Sequence, residues 1–102
     1  MSFSIVVDRQ VDQTVVLLHG RFNHETHVEF KELVRSLKEE GLVGVSVDLS
    51  AVKEMDSSGL GLLLLLRDAL GGKRAQIRIR GASGAIRRIL EVANFQRFFL
   101  IE

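Results

Sequence analysis

Three times along this chain a segment with the period of a β-strand hands over to one with the period of an α-helix, and that order constrains the fold more than any other feature. Two strands come first. Phe3, Ile5 and Val7 alternate with Ser2, Ser4 and Asp8, and a β-branched run from Thr14 leads to Leu18 near Gly20, with Asp12 and Gln13 as the turn of a hairpin. Phe30, Leu33, Val34 and Leu37 then fall at i, i+3, i+4 and i+7, the stripe of a helix from about His24 to Glu40, with Asn23 as N-cap and Gly41 as stop. Val45, Val47 and Leu49 alternate with Ser46, Asp48 and Ser50 as a third strand, after which Asp56 and Ser57 open a leucine-rich helix that ends at Gly71-Gly72. Ala75, Ile77 and Ile79 alternate with Gln76, Arg78 and Arg80, and Ser83 opens a third helix with the face Ile86, Ile89, Leu90 and Ala93, ended by Asn94. Phe98 to Ile101 reads as a short last strand or a docking tail.

This order predicts an α/β domain over residues 1–102, with a mixed, mostly parallel sheet of four or five strands, right-handed crossovers and an antiparallel opening hairpin. Parallel strands covered on both faces read as continuous apolar runs. Here the third and fourth strands alternate cleanly, with Asp48, Arg78 and Arg80 on the second face, so the helices are expected chiefly on one face of the sheet. With 102 residues the chain is too short for two such domains.

Function classes narrow by charge and by what is missing. The formal charge is +1, from 14 Lys and Arg against 13 Asp and Glu, which argues against direct nucleic-acid binding. All six aromatics are Phe and none lies between residues 31 and 94, so Arg78, Arg80, Arg87 and Arg88 have no interleaved stacking groups. Residues 1–51 carry the acidic excess and residues 52–102 the basic one: either ordinary solvated faces or a bipolar surface that orients the domain on a charged partner. Without cysteine there is no thiolate metal site and no cysteine nucleophile. No signal peptide is visible, and the apolar run Leu60 to Leu66 falls short of the roughly 20 residues of a membrane span, so a cytoplasmic protein without membrane insertion is expected.

Met55-Asp56-Ser57-Ser58-Gly59-Leu60-Gly61 is the most informative segment, placed where strand and loop meet the leucine-rich helix. Asp56 or Ser57 can cap the free amides, and Ser57 or Ser58 stands at the positive end of the helix dipole. Two glycines at a helix start, each costing about 1 kcal/mol relative to Ala, mean either tight packing on the sheet or close approach of another molecule. A nucleophile elbow would need Gly-x-Ser-x-Gly; Met55 and Asp56 stand two residues before the serines, so neither fits. His24 and His27, at i and i+3, lack a third ligand for a metal site. No cofactor, metal or catalytic residue is expected.

The segment Val45-Ser46-Val47-Asp48-Leu49-Ser50 followed by Met55-Asp56-Ser57-Ser58-Gly59-Leu60-Gly61 resembles the sulphate-transporter and anti-sigma-factor-antagonist (STAS) domain. His19-Gly20-Arg21-Phe22-Asn23 upstream and Gly81-Ala82-Ser83 downstream support the likeness, which covers nearly the whole chain. The resemblance implies a non-enzymatic anti-sigma factor antagonist, monomeric when free. Ser57 would be phosphorylated by a partner serine kinase that is also an anti-sigma factor, and reset by a PP2C-type phosphatase. Asn23, Asp56, Ser57, Ser58, Gly59 and Leu60 would form the partner site. Two residues depart from the family pattern: Asn23 stands where Asp is usual, and Phe22 where a smaller aliphatic is common. The alternative the resemblance allows is a STAS subunit of an ABC-type membrane transporter, contacting its ATPase through the same helix and loop.

Overall fold

The computed structural model describes residues 3–11 and 13–102. Strands β1 (Ser4–Arg9), β2 (Thr14–Phe22), β3 (Gly44–Met55), β4 (Gln76–Arg80) and β5 (Leu100–Ile101) form one sheet in the order β1-β2-β3-β4-β5. β1 pairs with β2 antiparallel, and the other three pairings are parallel. Helices α1 (His27–Glu39), α2 (Ser57–Ala69) and α3 (Gly84–Val92) follow β2, β3 and β4. The expected α/β order therefore stands with five strands, and the tail contributes a short parallel edge. Ser2 and Asp12, assigned above to the first strand and the hairpin turn, lie outside the described residues.

Binary pattern explains the layering. Val16, Leu18, Val45, Val47, Leu49, Ile77 and Ile79 face one side and join Phe30, Val34, Leu37, Leu62, Leu63, Leu66, Ile86 and Leu90 of the three helices in a single buried cluster. The opposite face carries Ser46 beside Arg78 and Asp48 beside Arg80. Ser46 and Val15 there are nonetheless buried, and Ser46 Oγ donates to Gln13 Oε1 at 2.9 Å.

Three boundaries differ from the sequence reading. His24–Thr26 is a 3₁₀ turn, and the α-helix proper starts at His27. Ser83 sits at the N-cap position of α3 without a capping hydrogen bond, and Asn94, in the left-handed region at φ 58°, follows the C-cap Ala93. β3 runs on to Met55, so no loop separates the strand from Asp56. The strand can extend because its register against β2 slips twice, between Leu17 and His19 and between Gly20 and Arg21. Each slip inserts a residue into β3, bends it and breaks the period of two.

Asp48 pins the far end of the sheet. Its Oδ1 accepts from Ser50 N at 2.8 Å and Ser50 Oγ at 2.6 Å, and its Oδ2 from Arg80 Nε at 3.1 Å. Gly81 closes over this group with φ +78°; a Cβ there would lie 2.8 Å from Asp48 Oδ1. Burial raises the Asp48 pKa, but the Ser50 and Arg80 hydrogen bonds and the Arg80 charge outweigh it and hold the carboxyl below its ordinary value. A depressed folded-state pKa contributes stability above the unfolded value of 3.8, lost as pH falls through the folded value. Asp48→Asn is expected to lose about 1.5–3 kcal/mol at pH 7, and its melting-temperature deficit should shrink as pH falls below about 4 and on through the folded-state value. Parallel melting curves at pH 7 and pH 3 check this; a constant difference would mean that the ionised carboxylate is not the stabilising form.

Candidate functional site

β2 and β3 end side by side, Phe22 paired with Met55, so the two following connections leave the sheet together. They also use the same device. Asn23, extended at φ −141°, accepts from Glu25 N at 2.9 Å through Oδ1 and caps the 3₁₀ turn. Asp56, extended at φ −120°, accepts from Ser58 N at 2.9 Å and Gly59 N at 3.2 Å through Oδ1 and caps α2. Of the two candidate caps, Asp56 takes the role and Ser57 is left without it. Arg21 Nε and Glu54 Oε2, 3.3 Å apart, join the strand ends above, both well exposed and so of small energetic weight.

Ser57 is therefore the first residue of α2, exposed, with its hydroxyl in no hydrogen bond among the described residues, while Ser58 is half-buried. No other acidic side chain lies in the first turn of the helix. An exposed hydroxyl on the positive end of a 13-residue helix can accept a group that ends as an anion. No histidine is hydrogen-bonded to either serine among the described residues; His27 Nδ1 lies 2.7 Å from the His24 carbonyl, and His19 Nδ1 is buried without a partner.

The two glycines have different surroundings. A Cβ on Gly59 would lie 2.6 Å from the Phe22 carbonyl oxygen, 2.7 Å from Met55 Cγ and 3.1 Å from Phe22 Cδ2. Phe22 is fully buried, its ring 5.1 Å from Phe30 and 5.9 Å from Phe3, so it cannot retreat. The close packing expected of the pair belongs to Gly59; a Cβ on Gly61 would meet nothing within 4 Å. Leu60, between them, is partly exposed and walls an apolar groove of about 400 Å³ against Ile89 and Val92 of α3. That groove was not anticipated. The signal for it is that Ala85 and Val92 are apolar although they lie outside the stripe Ile86, Ile89, Leu90.

The profile of the family described as "Mlab, STAS domain" matches residues 5–102. This chain belongs to the STAS domain family. The chain is 34% identical over 101 residues, 99% of both sequences, to a STAS-domain containing protein of Pseudomonas aeruginosa. It is 28% identical over 96 residues, 94% of this chain and 89% of the relative, to the anti-sigma-B factor antagonist of Staphylococcus aureus. Its fold matches the crystal structure of an anti-sigma factor antagonist from Mycobacterium paratuberculosis with a TM-score of 0.87 at 22% identity, over 98% of this chain and 85% of that one. In this STAS domain, then, the segment singled out in the sequence is the β3–α2 junction, and Asn23 is its neighbour across the strand ends.

The four arginines considered as a cationic patch are mostly engaged. Arg78 pairs with Glu102 at 3.6 Å, Arg80 with Asp48 at 3.1 Å and Arg87 with Glu91 at 3.4 Å. No helix among the described residues is long and apolar enough to cross a membrane.

Proposed function

We propose that this protein is an anti-sigma factor antagonist that works as a phosphorylation-controlled partner switch in the cytoplasm, with no catalysis of its own. The unphosphorylated form binds an anti-sigma factor that is also a serine kinase and frees that factor's target. Phosphorylation of Ser57 ends the complex, and a PP2C-type phosphatase restores it. Asn23, Asp56, Ser57, Ser58, Gly59 and Leu60 form the contact region. The observation that carries this reading is the free, exposed Ser57 hydroxyl on the first residue of α2, beside a cap that Asp56 already supplies. A hydroxyl kept for capping would be turned inward.

Ser57 is expected to be the main phosphoacceptor. Ser58 is half-buried, and Ser83, exposed at the start of α3, is the strongest competitor. Mass spectrometry after incubation with the cognate kinase decides; modification chiefly at Ser58 or Ser83 would refute the assignment. The transporter-subunit reading uses the same face of α2 but has no need of a phosphoacceptor, so a partner ATPase that binds Ser57→Ala and Ser57→Asp equally would favour it.

A further inference from the structure

The end of the sheet away from the β3–α2 junction carries a hollow of about 360 Å³ on the face without helices. Gly44, Ser46, Gln76 and Arg78 line it from β3 and β4, where Gly44 pairs with Gln76 and Ser46 with Arg78, and Gln13 closes it from just before β2. Gly44 makes the room: a Cβ there would share the face of Ser46 and lie 3.2 Å from the Gln76 carbonyl oxygen. The volume is that of a small-molecule site.

The polar groups around it are of two kinds. Ser46 is only 3% exposed, and its Oγ donates to Gln13 Oε1 at 2.9 Å. Gln13 Nε2 in turn donates to Gln10 Oε1 at 3.2 Å, so this carboxamide is held at both ends. A donating hydroxyl can still accept, and a carboxamide nitrogen has a second N–H, so the held pair keeps an acceptor and a donor for another molecule. Gln76 and Arg78, by contrast, are exposed. Arg78 faces Glu102 Oε2 at 3.6 Å, beyond hydrogen-bond distance, with the two side chains 57% and 44% exposed. Such a pair is worth little, so Arg78 can turn to another carboxylate at small cost.

We propose that this hollow binds a small monocarboxylate carrying a second polar group, a hydroxyl or an amide, with the carboxylate on Arg78 and the second group on Ser46 and Gln13. A guanidinium fork matches a planar carboxylate through two parallel N–H···O bonds. A phosphate dianion fits less well. Arg78 is the only cation among the described residues that line the hollow, and the α-helices begin at the other end of the parallel strands, so no helix N-terminus is here to receive it. Glu102 already displays the class of group that Arg78 attracts. The site lies at the opposite end of β3 from Ser57 and does not rest on the partner-switch reading, so either can fail without the other.

The probes are glycolate, lactate and glutamine, with acetate, inorganic phosphate and chloride for comparison. Each is titrated into the isotope-labelled full chain and followed by the NMR shifts of the backbone amides. At least one probe should shift Gly44, Ser46, Gln76 and Arg78 saturably and leave Ser57, Ser58 and Gly59 in place. Acetate, which lacks the second group, should bind at least about tenfold more weakly than that probe. Arg78→Gln should weaken the probe by a similar factor, whereas Glu102→Gln, which removes the competing carboxylate, should bind it at least as tightly as the wild type. The melting temperature is the folding control. If Arg78→Gln lowers it, Arg78→Lys takes its place, keeping the charge but losing the fork, with weaker binding again expected. The proposal is overturned by the absence of a saturable shift with any probe, by acetate binding as tightly as the probes, by phosphate binding more tightly than all of them, by chloride reproducing the shifts, or by unchanged affinity in a folded Arg78 variant.

Discussion

Leu63→Ala is expected to destabilise the fold by about 2–5 kcal/mol, through the core and not through recognition. Leu63 is fully buried, and with Leu62 and Leu66 it forms the side of α2 that enters the hydrophobic cluster. The truncation removes the transfer free energy of the lost methyl groups and leaves a cavity that a sheet on one side and α2's own backbone on the other cannot collapse to fill. For a domain of this size about 1 kcal/mol shifts the melting temperature by roughly 4–8 °C, so a drop of about 10 °C or more should appear in a thermal scan. Partner affinity per folded molecule should stay near that of the wild type. An unchanged melting temperature with binding lost would put Leu63 on the interface. Leu60, Leu64 and Leu65 differ because they are only partly covered; substitutions there should cost less stability and more binding.

The fold was legible where one periodicity held and illegible where two competed. Strands β3 and β4 carry polar residues at alternate positions, on the face without helices, so Val45, Val47, Leu49 and Ile77, Ile79 declared both the strands and the one-sided packing of the helices. The continuation of β3 from Ala51 to Met55 did not read as strand, because the two register slips against β2 interrupt the alternation. That boundary decides where the site stands: the strand, not a loop, delivers Asp56 to the start of α2. The Asp56-Ser57-Ser58-Gly59 segment was visible as a helix start, but the choice of cap was not, since Asp and Ser cap comparably well. It depends on the extended backbone at Asp56, which lets one carboxylate oxygen reach two amides. The different roles of Gly59 and Gly61 were hidden for a similar reason. What separates them is the Phe22 carbonyl, 37 residues away in sequence and brought beside Gly59 by the pairing of Phe22 with Met55.

Charge placed on Ser57 is expected to weaken partner binding by at least about tenfold and to leave the fold intact. A phosphoserine carries about −1.5 to −2 charges at neutral pH. The fold can bear this, because the group sits in solvent on the first residue of α2, at the positive end of its dipole. It cannot take the amides of Ser58 and Gly59, which Asp56 already occupies, so there is no inducement for the helix start to rearrange. The cost falls on the complex. A partner surface shaped to a neutral hydroxyl must accommodate a bulky hydrated anion, next to Asp56 and three residues past the exposed Glu54. A like-charge contact in a desolvated interface costs several kcal/mol, against about 1.4 kcal/mol for each tenfold in affinity. Ser57→Asp and Ser57→Glu should therefore bind the anti-sigma partner weakly, while Ser57→Ala binds like the wild type, as read by calorimetric titration with circular dichroism as the folding control. Equal affinities for all three variants would remove the switch. Loss of binding together with loss of helicity would mean that the charge acts on the start of α2 itself, where Asp56, repelled by its new neighbour, would have released the cap.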